Sequence, residues 1–98
     1  MSAAISEKQL QAAVLELAET LHWRCYHTYD SRRSQAGFPD LVMVKGKRVV
    51  FAELKSARGK LSVAQADWGA ALLLAGGSWY EWRPADWLDG SIEKVLRG

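Results

Sequence analysis

Asp40, Glu53 and Lys55 are the residues of this chain whose types and spacing could do chemistry. Asp40 opens an apolar run over 41–44, and Glu53 closes a second run over 49–52. Two neighbouring carboxylates repel each other unless a cation or a proton sits between them. A few hard oxygen ligands suit Mg²⁺, which takes one or two carboxylates, several waters and substrate phosphates. A bound metal makes hydroxide from water and stabilises charge on a phosphoryl oxygen. A lysine alongside can orient that water or neutralise the charge that develops on the phosphate. The chemistry implied is metal-assisted hydrolysis of a phosphodiester. The plainer alternative is a surface hairpin ending in solvated charges, since Glu-x-Lys alone is common. Charges that interrupt two runs reading as buried strands need a reason, which favours the functional reading.

A hairpin must bring these groups together. Gly46-Lys47 separates the two runs, and Gly at the first position of a two-residue loop suits a type II′ turn. That turn predicts the pairs Lys45 with Arg48, Val44 with Val49 and Val42 with Phe51. One step further out, Asp40 falls opposite Glu53, with Cβ atoms about 5 Å apart on one face. Lys55 shares that face, two positions along the strand.

The flanking chain supplies the remaining elements. Ser6-x-x-Gln9 has capping-box form, and Leu10, Val14, Leu17 and Leu21 recur at helical spacing, predicting a helix over 7–21. A strand is expected over 23–29 and a basic loop over 30–37. After a loop over 56–60, Ser62 and Gln65 predict a second capped helix that ends near Gly76-Gly77. A strand over 78–83 follows, then a weakly helical tail over 85–96 broken at Asp89-Gly90. The class is α/β: an αβββαβ core with a mixed central sheet flanked by helices, and a crossover through the second helix between parallel strands.

At 98 residues the chain makes one domain, 1–98, with no repeat, linker or low-complexity segment. Five Trp, three Tyr and two Phe can supply a core. The net charge of +2 gives little whole-molecule steering, so a nucleic-acid footprint must come from local clusters of Lys and Arg. Cys25 is the only cysteine, which excludes an internal disulfide and a cysteine-rich zinc site and fits a reducing compartment. No basic leader or long apolar run stands at the N-terminus, so the chain reads as intracellular, cytoplasmic or nucleoid-associated, and not secreted.

Pro39-Asp40 followed by Glu53-Leu54-Lys55 resembles the PD-(D/E)xK nuclease signature, and more of the chain is similar to its VRR-NUC branch. Glu7-x-x-Leu10-Gln11-x-Ala13-Val14 resembles the opening helix of that branch. Gly37-x-Pro39-Asp40, Glu53-x-Lys55, Gly59-Lys60-Leu61-Ser62-x-x-Gln65 and Ala75-Gly76-Gly77 follow in order. The resemblance implies a restriction-endonuclease-like fold and a Mg²⁺- or Mn²⁺-dependent, structure-specific DNA endonuclease, with Holliday junctions as a candidate substrate. It implies metal ligation by Asp40, Glu53 and the Leu54 backbone carbonyl, catalysis with Lys55, and a further carboxylate, Glu7. For Glu7 the competing explanation is the ordinary preference for acids at helix N-termini. Gln65 is either a polar contact near the lysine or phosphate, or only half of a capping box.

Ser31, Arg32 and Arg33 precede the Asp40 end of the hairpin, and Arg58 and Lys60 follow Lys55; these are the expected DNA-backbone contacts. His27 reads as a packed side chain on an aromatic strand, and the basic hairpin tip has no catalytic role. Trp68, Ala71, Leu72 and Ala75 predict a broad apolar face on the second helix, and with Ala70 they suggest a homodimer interface. Two other readings remain: a non-catalytic DNA-binding module that retains the nuclease fold, and a small interaction protein using a Trp-rich face.

Overall fold

Ser6 begins the first helix by the reciprocal contacts its sequence predicts. Its hydroxyl accepts the Gln9 N–H at 3.0 Å, and Gln9 Oε1 accepts the Ser6 N–H at 2.9 Å. Ser62 and Gln65 repeat the arrangement at 3.1 and 2.8 Å. Each box satisfies two amide donors that a helix start would leave orphaned. The computed structural model describes residues 5–28 and 35–98. Its elements are α1 (Glu7–Thr20), β1 (Arg24–His27), β2 (Leu41–Lys45), β3 (Arg48–Leu54), α2 (Val63–Leu74), β4 (Ser78–Trp82), α3 (Pro84–Leu88) and α4 (Ser91–Arg97).

The sheet order is β1-β2-β3-β4. β1 and β3 flank β2 antiparallel, and β3 pairs with β4 in parallel. The fold is therefore α/β with a mixed four-stranded sheet, as the sequence predicts. The hairpin turns at Gly46, whose φ is 59°, and Lys45 faces Arg48 across it. The helical tail divides at Gly90, whose φ of 83° no β-branched residue would readily adopt. Among the described residues, no helix is long and apolar enough to cross a membrane.

The first strand is shorter than 23–29. His22 takes a left-handed φ of 71°, and Trp23 precedes β1. The Trp23 indole leaves the sheet to donate to the Leu96 carbonyl at 2.9 Å, under the Arg48 guanidinium at 4.9 Å from the ring centroid. A buried indole N–H needs such a partner, so tertiary packing outweighs the local strand preference.

Alternation along the strands divides the sheet into two faces. Leu41, Met43, Val50, Ala52, Leu54 and Trp82 point to one, where they form the core with Leu10, Val14 and Ala18 of α1 and Ile92 and Leu96 of α4. Val42, Phe51, Glu53 and Trp79 point to the other, where α2 packs. The α2 contact differs from the broad apolar face expected of it. Only Gly69 is fully buried, Trp68 and Leu72 are half-buried, and Ala70, Ala71 and Ala75 are exposed. A Cβ on Gly69 would stand 2.7 Å from the Trp79 ring, so the absence of a side chain lets the helix seat on that indole. The seating turns the 65-68-69-72 stripe toward the sheet and leaves the small residues outward.

Candidate active site

The hairpin register is the one the turn dictates: Lys45 with Arg48, Val44 with Val49, Val42 with Phe51 and Leu41 with Ala52. Asp40 lies one residue outside β2, at the level of Glu53. Its Oδ2 accepts the Leu54 N–H at 2.8 Å, so the carboxylate itself bridges the hairpin where the strand pairing stops. On the other side, the Thr28 N–H donates to the Asp40 carbonyl at 3.0 Å and the Thr28 hydroxyl to the Pro39 carbonyl at 3.2 Å. Both contacts fix the backbone that carries Asp40.

Gly37 and Pro39 bring the chain to that point. Pro39 is buried, and Gly37 has φ 84°. A Cβ at Gly37 would lie 2.4 Å from the Ala64 carbonyl carbon and 2.7 Å from the Gln65 nitrogen. The loop before Asp40 is therefore pressed against the first turn of α2, which only a glycine permits. Phe38 completes the seam, edge-on to Phe51 at 6.3 Å and to Trp68 at 5.1 Å between centroids.

Glu53 is 1% exposed, and neither of its carboxylate oxygens has a hydrogen-bond partner. Burial, with the Asp40 carboxylate beside it, pushes its pKa up to about 9, while Lys55 pulls the other way. A buried carboxyl without donors is costly in the charged form, so the pair calls for a proton or a cation between its members. Lys55 continues the strand pairing by donating its N–H to the Trp82 carbonyl at 3.0 Å. Its stem passes the turn at Gly59, where an added Cβ would stand 3.5 Å from Lys55 Cδ. The donor set fits a hard divalent cation: two adjacent carboxylates, one anchored by an amide and one with both oxygens unpartnered.

The other expected residues are distributed differently. Glu7 is exposed on the first turn of α1, and among the described residues no group of three or more His, Cys, Asp or Glu is placed to hold a metal ion. The structure thus does not gather Glu7 with Asp40 and Glu53. Gln65 is half-buried and occupied in the Ser62 capping box. Arg58 and Lys60 are exposed on the loop that follows Lys55. Ser31, Arg32 and Arg33 lie outside the described residues. His27 is half-buried on β1 opposite Leu41, on the core side of the sheet.

Two residues at this end of the sheet escape sequence reasoning. Glu81 pairs in register with Glu53, and Arg83 forms an ion pair with Glu81. No turn sets the register of parallel strands joined through a helix, so nothing in the local sequence places Glu81 beside Glu53.

Two solved structures are similar to this chain. One, described as "VRR_NUC domain", superimposes with a TM-score of 0.74 at 20% identity, over 89% of this chain and 94% of its own. The other, "VRR_NUC domain protein", gives 0.72 at 16% identity, over 97% of this chain and 91% of its own. No family model and no curated protein matches the sequence. At these identities the likeness establishes the architecture: the chain has the fold of the VRR_NUC-domain structures, over nearly its whole length.

Proposed function

We propose that this protein is a metal-dependent nuclease of the VRR-NUC type that hydrolyses phosphodiester bonds in DNA. The observation that carries the reading is the Glu53 carboxyl, buried with both oxygens unpartnered beside Asp40 and within the field of Lys55. Asp40 and Glu53 would hold Mg²⁺ or Mn²⁺, with the Leu54 backbone carbonyl as a further oxygen ligand. When bound, the metal supplies charge at the phosphoryl oxygen and lowers the pKa of water.

The chain's own residues do the rest. The Leu54 N–H holds Asp40 in one orientation. Lys55 orients the attacking water and offsets the negative charge that develops on the phosphate. Arg58 and Lys60, with Ser31, Arg32 and Arg33, bind the DNA backbone, and Gln65 adds a polar contact from the start of α2. Glu7 is proposed as an auxiliary carboxylate that joins when DNA is bound. Branched DNA, four-way junctions included, is the proposed substrate. A homodimer through α2 would present two such sites in fixed relation.

The deciding experiment is cleavage of a panel of labelled duplex, flap, splayed and four-way DNA substrates with Mg²⁺, with Mn²⁺ and with chelator. Metal-dependent cleavage that Lys55→Ala slows more than it weakens binding is the expected result. DNA binding without cleavage in either metal would leave a non-catalytic module that retains the fold.

A further inference from the structure

We propose that Arg83 is a positioning residue for Lys55, acting through the turn that follows the lysine; the role rests on the nuclease reading above. The chain turns over 56–59, where the Gly59 N–H meets the Ser56 hydroxyl at 3.1 Å and the Ser56 carbonyl at 3.3 Å. The Arg83 guanidinium closes this turn from the end of β4. Its Nη1 donates to the Ser56 carbonyl at 2.8 Å and to the Gly59 carbonyl at 2.5 Å. Its Nη2 pairs with Glu81 Oε2. The Lys55 stem lies against the same turn at Gly59. One planar cation therefore ties both ends of the surface on which Lys55 rests.

Lysine carries a compact charge on a long flexible stem, so where its ammonium sits depends on what restrains that stem. Ala57 and Arg58, in the middle of the 56–59 turn, are exposed and add little packing that would hold it. Arg83 also acts on the charge pattern. Glu81 stands next to Glu53 across the parallel strands and on the same face. Paired with Arg83, that third carboxylate is neutralised. Asp40 and Glu53 are left as the pair that wants a cation. A guanidinium suits both tasks because its fork can serve two carbonyls and a carboxylate at once. The Arg83 backbone is held separately, by its N–H to Asp86 Oδ2 at 2.8 Å, so replacing the side chain leaves the start of α3 intact.

The test compares wild type, Arg83→Met and Arg83→Lys by single-turnover cleavage, by DNA affinity, and by amide hydrogen exchange at Gly59 without metal or DNA. Arg83→Met is expected to slow cleavage on the order of 10- to 100-fold, the scale of a misplaced catalytic group. DNA affinity should stay within about twofold, and Gly59 should exchange faster. Arg83→Lys should restore only part of both, because an ammonium lacks the fork. Should Arg83→Met fail to fold, Arg83→Lys carries the same comparison. Wild-type exchange at Gly59 in the variants, an unchanged rate, or a rate loss matched by lost affinity would each overturn the positioning role. Absence of cleavage by wild type with either metal would instead overturn the nuclease reading, and this role with it.

Discussion

The two faces of the sheet share their strands and differ in what lies on them. Toward α1 and α4, Leu41, Met43, Ala52 and Leu54 are fully buried. Toward α2, Val44 and Val49 are exposed, and the helix buries only Gly69 completely. Adjacent residues therefore carry different work. Leu41 anchors the core while Asp40 bridges to Leu54. Ala52 and Leu54 pack inward while Glu53, between them, points to the thinly covered side. A buried carboxyl is tolerable there because its two neighbours fix the strand through apolar contacts that do not involve it. The more open face carries the proposed metal ligands, and the closed face holds the strands that position them.

The largest effects separate Asp40 from Leu41. Asp40→Asn should lower cleavage by at least about 10³-fold, the scale of losing a group that acts within a unit. An amide oxygen can still accept the Leu54 N–H, so the thermal midpoint should hardly move. Near-wild-type turnover by pure Asp40→Asn protein would remove the site assignment. Leu41→Ala should do the converse. It deletes a fully buried side chain and should cost about 2–5 kcal/mol. For a domain of this size each kcal/mol lowers Tm by roughly 4–8 °C. The protein that remains folded at low temperature should cleave at close to the wild-type rate. A comparable activity loss in both variants, at equal folded fraction, would break the division between faces.

Glu53→Gln joins the two faces, because it removes chemistry and a burial cost together. In the metal-free protein the Glu53 pKa is raised to about 9. The unfolded chain loses that proton near pH 4.3. Between these values the folded state binds more protons than the unfolded one, so stability falls as pH rises. Glu53→Gln carries no such proton, and its advantage should be absent at pH 4, grow through neutrality and level off above pH 9. A Tm equal to that of wild type at pH 4 and higher than it at pH 8 is expected. Chemical denaturation at a series of pH values with chelator checks the trend, and a flat difference between the two proteins would mean that Glu53 is ionised in the fold. Cleavage by Glu53→Gln should be lost at every pH.

How far the sequence carried this picture depends on what fixes each contact. Gly46-Lys47 set the hairpin register, and through it the Asp40–Glu53 level, because a two-residue turn leaves no freedom. Ser6 and Ser62 set both helix starts by contacts within three residues. The seating of α2 was less legible. Trp68 and Leu72 suggested the buried stripe, yet Gly69 against the Trp79 ring decided it, and that contact joins elements with no local coupling. The Glu81–Arg83 pair was hidden for the same reason. Gly37 stands in the motif, but its purpose is the close approach of the Ala64 backbone, a contact no local pattern encodes.

The smallest expected effect concerns the outer side of α2, where the thin face meets solvent. Leu74 is 91% exposed, and Val63 and Leu73 are also exposed. Trp68, placed at the proposed interface from the sequence, packs in part against Phe38 of its own chain. The exposed positions Leu73, Leu74, Ala70 and Ala71 are thus the surface a partner would meet. Leu74→Ser removes apolar area that the monomer does not bury, so its intrinsic stability should change by less than about 0.5 kcal/mol. If two copies associate through this helix, the same side chain becomes buried between them. Its loss should then weaken the dimer by roughly 1–2 kcal/mol, or about 5- to 30-fold in the dissociation constant. Sedimentation of wild type and Leu74→Ser across micromolar concentrations, with and without four-way DNA, separates these outcomes. A wild type that stays monomeric throughout would return the outer face of α2 to ordinary solvent-exposed surface and confine the work of this side of the sheet to the Asp40–Glu53–Lys55 end.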